Sequence, residues 1–155
     1  MSEMGLLTSD NAREYITFRI GSQYFCIDIL CVREIRGWTP ATALPRAPRF
    51  VRGVINLRGI VLPVVDLAER FGFAPAEPTP RNVIIVAQTS RQVVGLLVDA
   101  VSDIVVVAKD RLQPTPDVGS DAAKAFVEGV MAIEDRLVSL VSLETLMPCA
   151  KGEAA

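Results

Sequence analysis

The chain has 155 residues, half of them hydrophobic, with 16 basic against 18 acidic side chains, a net charge of −2 and no histidine. That length allows one domain or two very small ones, with roughly 70% of the unfolded surface buried on folding. The charge balance lacks the basic footprint of a nucleic-acid-binding domain, and the missing histidine removes the commonest general base and the commonest metal ligand.

Residues 1–12 lack the charged start and apolar block of a signal peptide, so they read as a flexible tail. No apolar run approaches the roughly 18 residues of a membrane span, and a cytoplasmic location is expected. Cys26, Cys31 and Cys149 are odd in number and lack zinc-like spacing, which predicts reduced thiols and no metal. There is no Gly-rich phosphate loop and no nucleophile elbow, so no cofactor is expected and an enzyme is the weaker expectation.

Tyr15–Ile20 alternates, with Ile16, Phe18 and Ile20 on one face, and predicts a half-buried strand. Gly21-Ser22 is a hairpin signal and Gln23–Ile27 the returning strand. Asp28 can cap a helical turn through Ile29–Arg33, followed by an extended Ile35–Thr39. Pro40, Pro45 and Pro48 keep the next connection non-helical.

Pro48 to Phe71 organises the rest. Two apolar runs, Val51–Ile55 and Ile60–Val65, flank Asn56-Leu57-Arg58-Gly59. Gly59 suits a positive φ and Asn56 can bond the turn backbone, so the stretch predicts a β-hairpin with Arg58 at its tip. Pro63, without an N–H, is expected at a sheet edge or a bulge. Asp66, with Glu69 three residues on, caps a short helix that Gly72 stops.

Pro75, Pro78 and Pro80 punctuate a linker. Val83–Ala87 and Val93–Val98 read as strands, with a bulge expected at Gly95, and Ile104–Val107 as the next. Asp117–Lys124 is loop-like. Val127–Ile133 and Leu137–Val141 form a last hairpin, and Ser142 caps a helix Leu143–Met147 that Pro148 helps end.

The two halves repeat one pattern. An offset of 76 lays Phe50–Leu67 on Phe126–Leu143, with Phe50/Phe126, Val51/Val127, Gly53/Gly129, Val54/Val130, Val65/Val141 and Leu67/Leu143 identical. An offset of 69 lays Gln23–Ile35 on Gln92–Ile104 and Pro45 on Pro114. Each unit of about five short strands closes best as a small barrel. Which strands enter which barrel is not legible. The recurrence of glycine at 53 and 129 implies positive φ or close strand approach. Arg58-Gly59 becomes Glu134-Asp135 in the second copy. A charged side chain on a tight turn suits a carboxylate-binding interface or simply a solvated surface.

Phe50-Val51-Arg52-Gly53-Val54-Ile55-Asn56-Leu57-Arg58-Gly59, then Pro63-Val64-Val65-Asp66-Leu67, resembles the CheW family of bacterial chemotaxis coupling proteins. Gly95-Leu96-Leu97-Val98-Asp99-Ala100-Val101 and Val32-Arg33-Glu34-Ile35 fit as well. The resemblance covers about residues 13–148. It implies an all-β fold with short helices: two intertwined five-stranded SH3/OB-like barrels in one CheW-like domain, between tails 1–12 and 149–155. It also implies a non-catalytic, cytoplasmic adaptor, monomeric by itself, tethering the histidine kinase CheA through its regulatory domain to the cytoplasmic tips of methyl-accepting chemoreceptors. Arg58 matches the family's receptor-binding arginine. Val32 and Glu34 match positions near a receptor-facing groove between the barrels, which Val98 and Val101 line from the other side unless they are core. Ile35, Arg36 and Trp38 are the candidate kinase-facing edge; Asn56, Gly59 and Gly53 are turn residues with a structural role. An adaptor of a non-chemotaxis array, or a small-barrel nucleic-acid-binding module, is the alternative.

Overall fold

The computed structural model describes residues 12–73, 79–114 and 125–146. The expected C-terminal tail, the tail residues before Ala12, the Asp117–Lys124 loop, Pro75, Pro78, Met147, Pro148 and Cys149 lie outside them. Among the described residues ten strands run in chain order: β1 Ala12–Ile20, β2 Gln23–Asp28, β3 Val32–Gly37, β4 Val51–Leu57, β5 Ile60–Asp66, β6 Val83–Gln88, β7 Val93–Val98, β8 Ala100–Ala108, β9 Val127–Ile133 and β10 Arg136–Val141. Short helices, Leu67–Arg70 and Leu143–Leu146, follow β5 and β10, and 3₁₀ turns occupy Ile29–Cys31 and Lys109–Arg111.

One five-stranded sheet has the order β8-β1-β2-β10-β9 and the other β3-β6-β7-β5-β4. Replacing each strand by its counterpart in the other copy, β1 by β6 through β5 by β10, converts one order into the other. The duplication is therefore geometric as well as textual. Each sheet takes two strands from one half of the chain and three from the other, so the units are intertwined. The crossovers force parallel pairing between β2 and β10 and between β5 and β7; the remaining ladders are antiparallel.

Each sheet curls towards closure through one residue. Thr42, on the chain leaving edge strand β3, exchanges two 2.9 Å hydrogen bonds with Val54 on the opposite edge strand β4. Gln113, leaving β8, does the same with Val130 on β9 at 2.8 Å. These seams explain the paired glycines. A Cβ on Gly129 would lie 2.5 Å from the Gln113 carbonyl oxygen, and one on Gly53 would press still closer on the Thr42 carbonyl, at a φ of 149° that disfavours side chains.

Among the described residues three apolar clusters result. Ile55, Leu57, Leu62, Val64, Ile84, Val86 and Leu97 fill one barrel. Tyr15, Cys26, Val107, Met131, Val138 and Leu140 fill the other. Between them lies the largest cluster, drawn from both sheets, including Phe18, Phe25, Phe71, Leu96, Phe126 and Leu143.

Several expectations need correction. β1 is buried on both faces, Tyr15 and Thr17 included, because its barrel interior lies on one side and the inter-barrel core on the other. Val32 and Arg33 belong to β3, not to a helical turn, which is a 3₁₀ turn ending at Cys31. Asp28 does cap it, its Oδ1 accepting from the Leu30 N–H at 2.9 Å. Gly95 is in regular register with no bulge; it is needed because a Cβ would meet Ile84 Cγ2 at 2.9 Å. Pro63 lies in an interior strand, tolerated where the parallel ladder to β7 begins only at Val64. The seams equate Thr42 with Gln113, an offset of 71, so Pro45 does not fall on Pro114. At the last helix the Ser142 carbonyl, not the side chain, accepts from Thr145 N–H at 3.3 Å and Oγ1 at 3.1 Å.

Candidate partner-binding site at the first hairpin tip

The β4–β5 turn is a two-residue connection, Arg58-Gly59, with positive φ at both positions, 52° and 88°. Such turns match the right-handed twist of the flanking strands. Asn56 Oδ1 accepts from the Gly59 N–H at 2.9 Å and holds the geometry. The β9–β10 turn repeats it without glycine, with Glu134 at 51° and Asp135 at 67°. The two copies thus share a tip shape and reverse its charge.

The turn projects Arg58, whose side chain is 72% exposed. Its Nη2 donates to Glu34 Oε2 at 2.6 Å. Arg36 Nη1 approaches the other oxygen of Glu34 at 3.8 Å. Past the register shift between Val32 and Glu34, alternation along β3 explains the grouping: Glu34 and Arg36 share one face, and Ile35 takes the other. Arg33, at the shift, donates from Nη1 to Gln88 Oε1 at 2.9 Å, and Ile35 is exposed. The site is an arginine–carboxylate–arginine row on an edge strand and a hairpin tip.

The structure separates the other expected residues. Val32 and Val101, equivalent in the duplication, are half-buried at the rim of the inter-barrel core. Val98 is 1% exposed inside that core, which removes its side chain from any binding surface. β3 ends at Gly37, so Trp38 is not part of the strand with Ile35. It packs on the core of its own barrel and lines a pocket of 180 Å³ with Thr39, Pro40, Ala41, Arg52, Val64 and Leu97.

One functional-looking pair escaped the sequence reading. Asp66 is fully buried, and its Oδ2 accepts from Arg52 Nη2 at 2.9 Å and Nε at 3.2 Å while Oδ1 caps the helix through the Glu69 N–H at 3.4 Å. The signal was in the duplication: where Asp66 becomes Ser142, Arg52 becomes Glu128, so cation and anion depart together.

Cys26 is buried, and desolvation pushes its thiol up to about 12. Cys31, half-buried, is also raised, chiefly by burial and then by Asp28. Neither has a reactive thiolate's environment. Among the described residues no group of three or more His, Cys, Asp or Glu side chains could hold a metal ion, and no helix is long and apolar enough to cross a membrane.

Two interleaved small barrels that present a charged hairpin tip and an edge strand define a β-barrel interaction module. Residues 14–150 match the CheW-like domain. The chain is 58% identical over 143 residues to the probable chemotaxis protein CheW of Rhizobium etli, covering 92% of each, and 57% identical to chemotaxis protein CheW of Rhizobium meliloti, covering 95% of each. The crystal structure of the scaffolding protein TtCheW from Thermoanaerobacter tengcongensis superposes with a TM-score of 0.81 at 31% identity, over 88% of this chain and 93% of that one. This chain belongs to the CheW-like family.

Proposed function

We propose that this protein is a non-catalytic chemotaxis scaffold that couples a CheA-type histidine kinase to the cytoplasmic tips of methyl-accepting chemoreceptors, as one CheW-like domain over residues 13–148. The observation that carries the reading is the family match across nearly the whole chain together with the interleaved barrels it shares with a scaffolding protein. The receptor contact is assigned to Arg58 and Glu34, with Val32 and Val101 at the adjacent rim. Arg58 is exposed and its planar fork can exchange Glu34 for a receptor carboxylate or carbonyl. The kinase regulatory domain is assigned to the exposed side of β3, at Ile35, with Arg36 and the Trp38 pocket as lesser contributors. The protein works in the cytoplasm, recruited to membrane-associated arrays, without a cofactor and without inserting into the bilayer.

The test is capture of a chemoreceptor cytoplasmic fragment and of a CheA regulatory domain by the same Arg58→Ala protein. Receptor affinity falls by about 2 kcal/mol if Arg58 is a hot spot, and lysine rescues poorly. Kinase capture survives. Equal loss of both, with a lowered melting temperature, would make Arg58 structural and remove the assignment.

A further inference from the structure

Arg70 closes the first short helix. Its guanidinium lies between two aromatic rings, with Cζ 4.0 Å from the centroid of Phe50 and 4.4 Å from that of Phe126. Its Nε donates to the Leu146 carbonyl oxygen at 2.6 Å. In the duplicated chain these partners have a special relation. Phe50 and Phe126 are one position in the two copies, and so are Arg70 and Leu146. A residue that touches its own counterpart sits on the axis relating the copies, as at an isologous interface. Phe50 leads into β4 and Arg70 follows β5, both of the second sheet; Phe126 leads into β9 and Leu146 follows β10, both of the first. The contacts to Phe126 and Leu146 therefore cross from one barrel to the other.

A guanidinium is suited to this place because its two faces can stack while its edge donates to a carbonyl; an ammonium cannot do both. The leucine at position 146 leaves the clamp to one copy alone. A second polar strut also crosses the seam: Ser90, in the β6–β7 turn, donates from its N–H and Oγ to the Glu144 carboxylate at 2.9 and 2.6 Å. Its counterpart positions, Gly21 and Ala68, have no polar side chain.

We propose that Arg70 is a positioning residue that fixes how the two barrels sit against each other and, through that, the inter-barrel rim carrying Val32 and Val101 on which a receptor docks. The docking half of the inference rests on the scaffold reading. The clamp itself does not.

Full-length Arg70→Met, which keeps the stem, and Arg70→Lys, which keeps the charge, are compared with the wild type by amide hydrogen exchange and by titration with a receptor cytoplasmic fragment and a kinase regulatory domain. Exchange is expected to rise about tenfold at Phe126–Val127 and Leu143–Leu146 while the β6–β7 ladder stays protected. The receptor Kd rises about fivefold or more in both variants, and the kinase Kd stays within about twofold. Exchange that rises uniformly, or equal loss of both partners, overturns the inference and leaves Arg70 a general stability residue. A loosened seam with unchanged receptor affinity overturns the docking half, and unchanged exchange overturns the clamp. A wild type that binds neither partner refutes the scaffold reading instead, and the exchange pattern still decides the clamp.

Discussion

Glu34 holds Arg58 in place, so an acidic group brought to Arg58 would compete with an existing bond. That bond is cheap to break, because an exposed ion pair contributes about 0–1 kcal/mol. Arg58→Ala and Glu34→Ala are each expected to shift the urea midpoint by no more than about 0.5 kcal/mol equivalent, with a double-mutant coupling below about 1 kcal/mol. A coupling of several kcal/mol would mean that the pair is a buried structural element. Cys26 behaves oppositely: it is invisible to partners and tied to the fold. Its thiol is raised from the ordinary 9.0 to about 12 by burial. Below pH 9 the native and unfolded chains both hold that proton, and stability is unaffected. Between about 9 and 12 the unfolded chain releases a proton the native state keeps, so stability falls as pH rises. The expected result is a denaturation midpoint that drops across this window, less steeply in Cys26→Ala. At pH 8 iodoacetamide should reach Cys31 in the native protein and Cys26 only after unfolding. Fast native alkylation of Cys26 would contradict its burial.

The hairpins and seams are the elements that decide closure. Gly53 and Gly129 lie where the chain crosses back to close each barrel, and any Cβ there strikes a backbone carbonyl rather than a yielding side chain. Gly53→Ala and Gly129→Ala are each expected to cost more than about 1 kcal/mol, with Gly53→Ala the worse because it adds the φ penalty. Unchanged thermal melts would remove the seam as a constraint. The two tips make a complementary test. Asp135 adopts the left-handed conformation that glycine adopts in the first copy. Asp135→Gly should therefore stabilise by about 0.5–1 kcal/mol, read as a higher melting temperature. A destabilised Asp135→Gly protein would show that the Asp135 side chain makes a compensating contact.

At the scale of the molecule, the interleaving makes the two halves inseparable. A fragment ending between Pro75 and Pro80 contains β1–β2 and β4–β5 as hairpins, and leaves β3 without β6, the strand it pairs with among the described residues. Isolated hairpins are marginal in water, and the inter-barrel core needs side chains from both halves. Residues 1–78 alone should show no cooperative melting transition, and mixing with residues 79–155 should restore one. A fragment that melts cooperatively by itself would mean that the halves fold as independent domains.

Much of this was legible in the chain because it depends on neighbours in sequence. The two-residue turn at Gly21-Ser22, the Asp28 and Asp66 caps, and the hairpin at Val51–Val65 with Arg58 at its tip follow from local turn chemistry and from alternation, although Asn56 and Leu57, read as turn, belong to β4. The duplication was legible for the same reason, since repeated hairpins repeat their pattern. The exchange of strands, the burial of β1 on both faces and the absence of a bulge at Gly95 were not legible, because each depends on which strand lies alongside, and pairing between distant segments leaves no local period. The same holds for the site. Arg58 stood out as a long charge on a turn. Its bond to Glu34, the exclusion of Val98 from the surface and the placement of Arg70 on the axis between the copies required the tertiary structure, because packing alone brings residues from separate strands and separate halves within reach of one another.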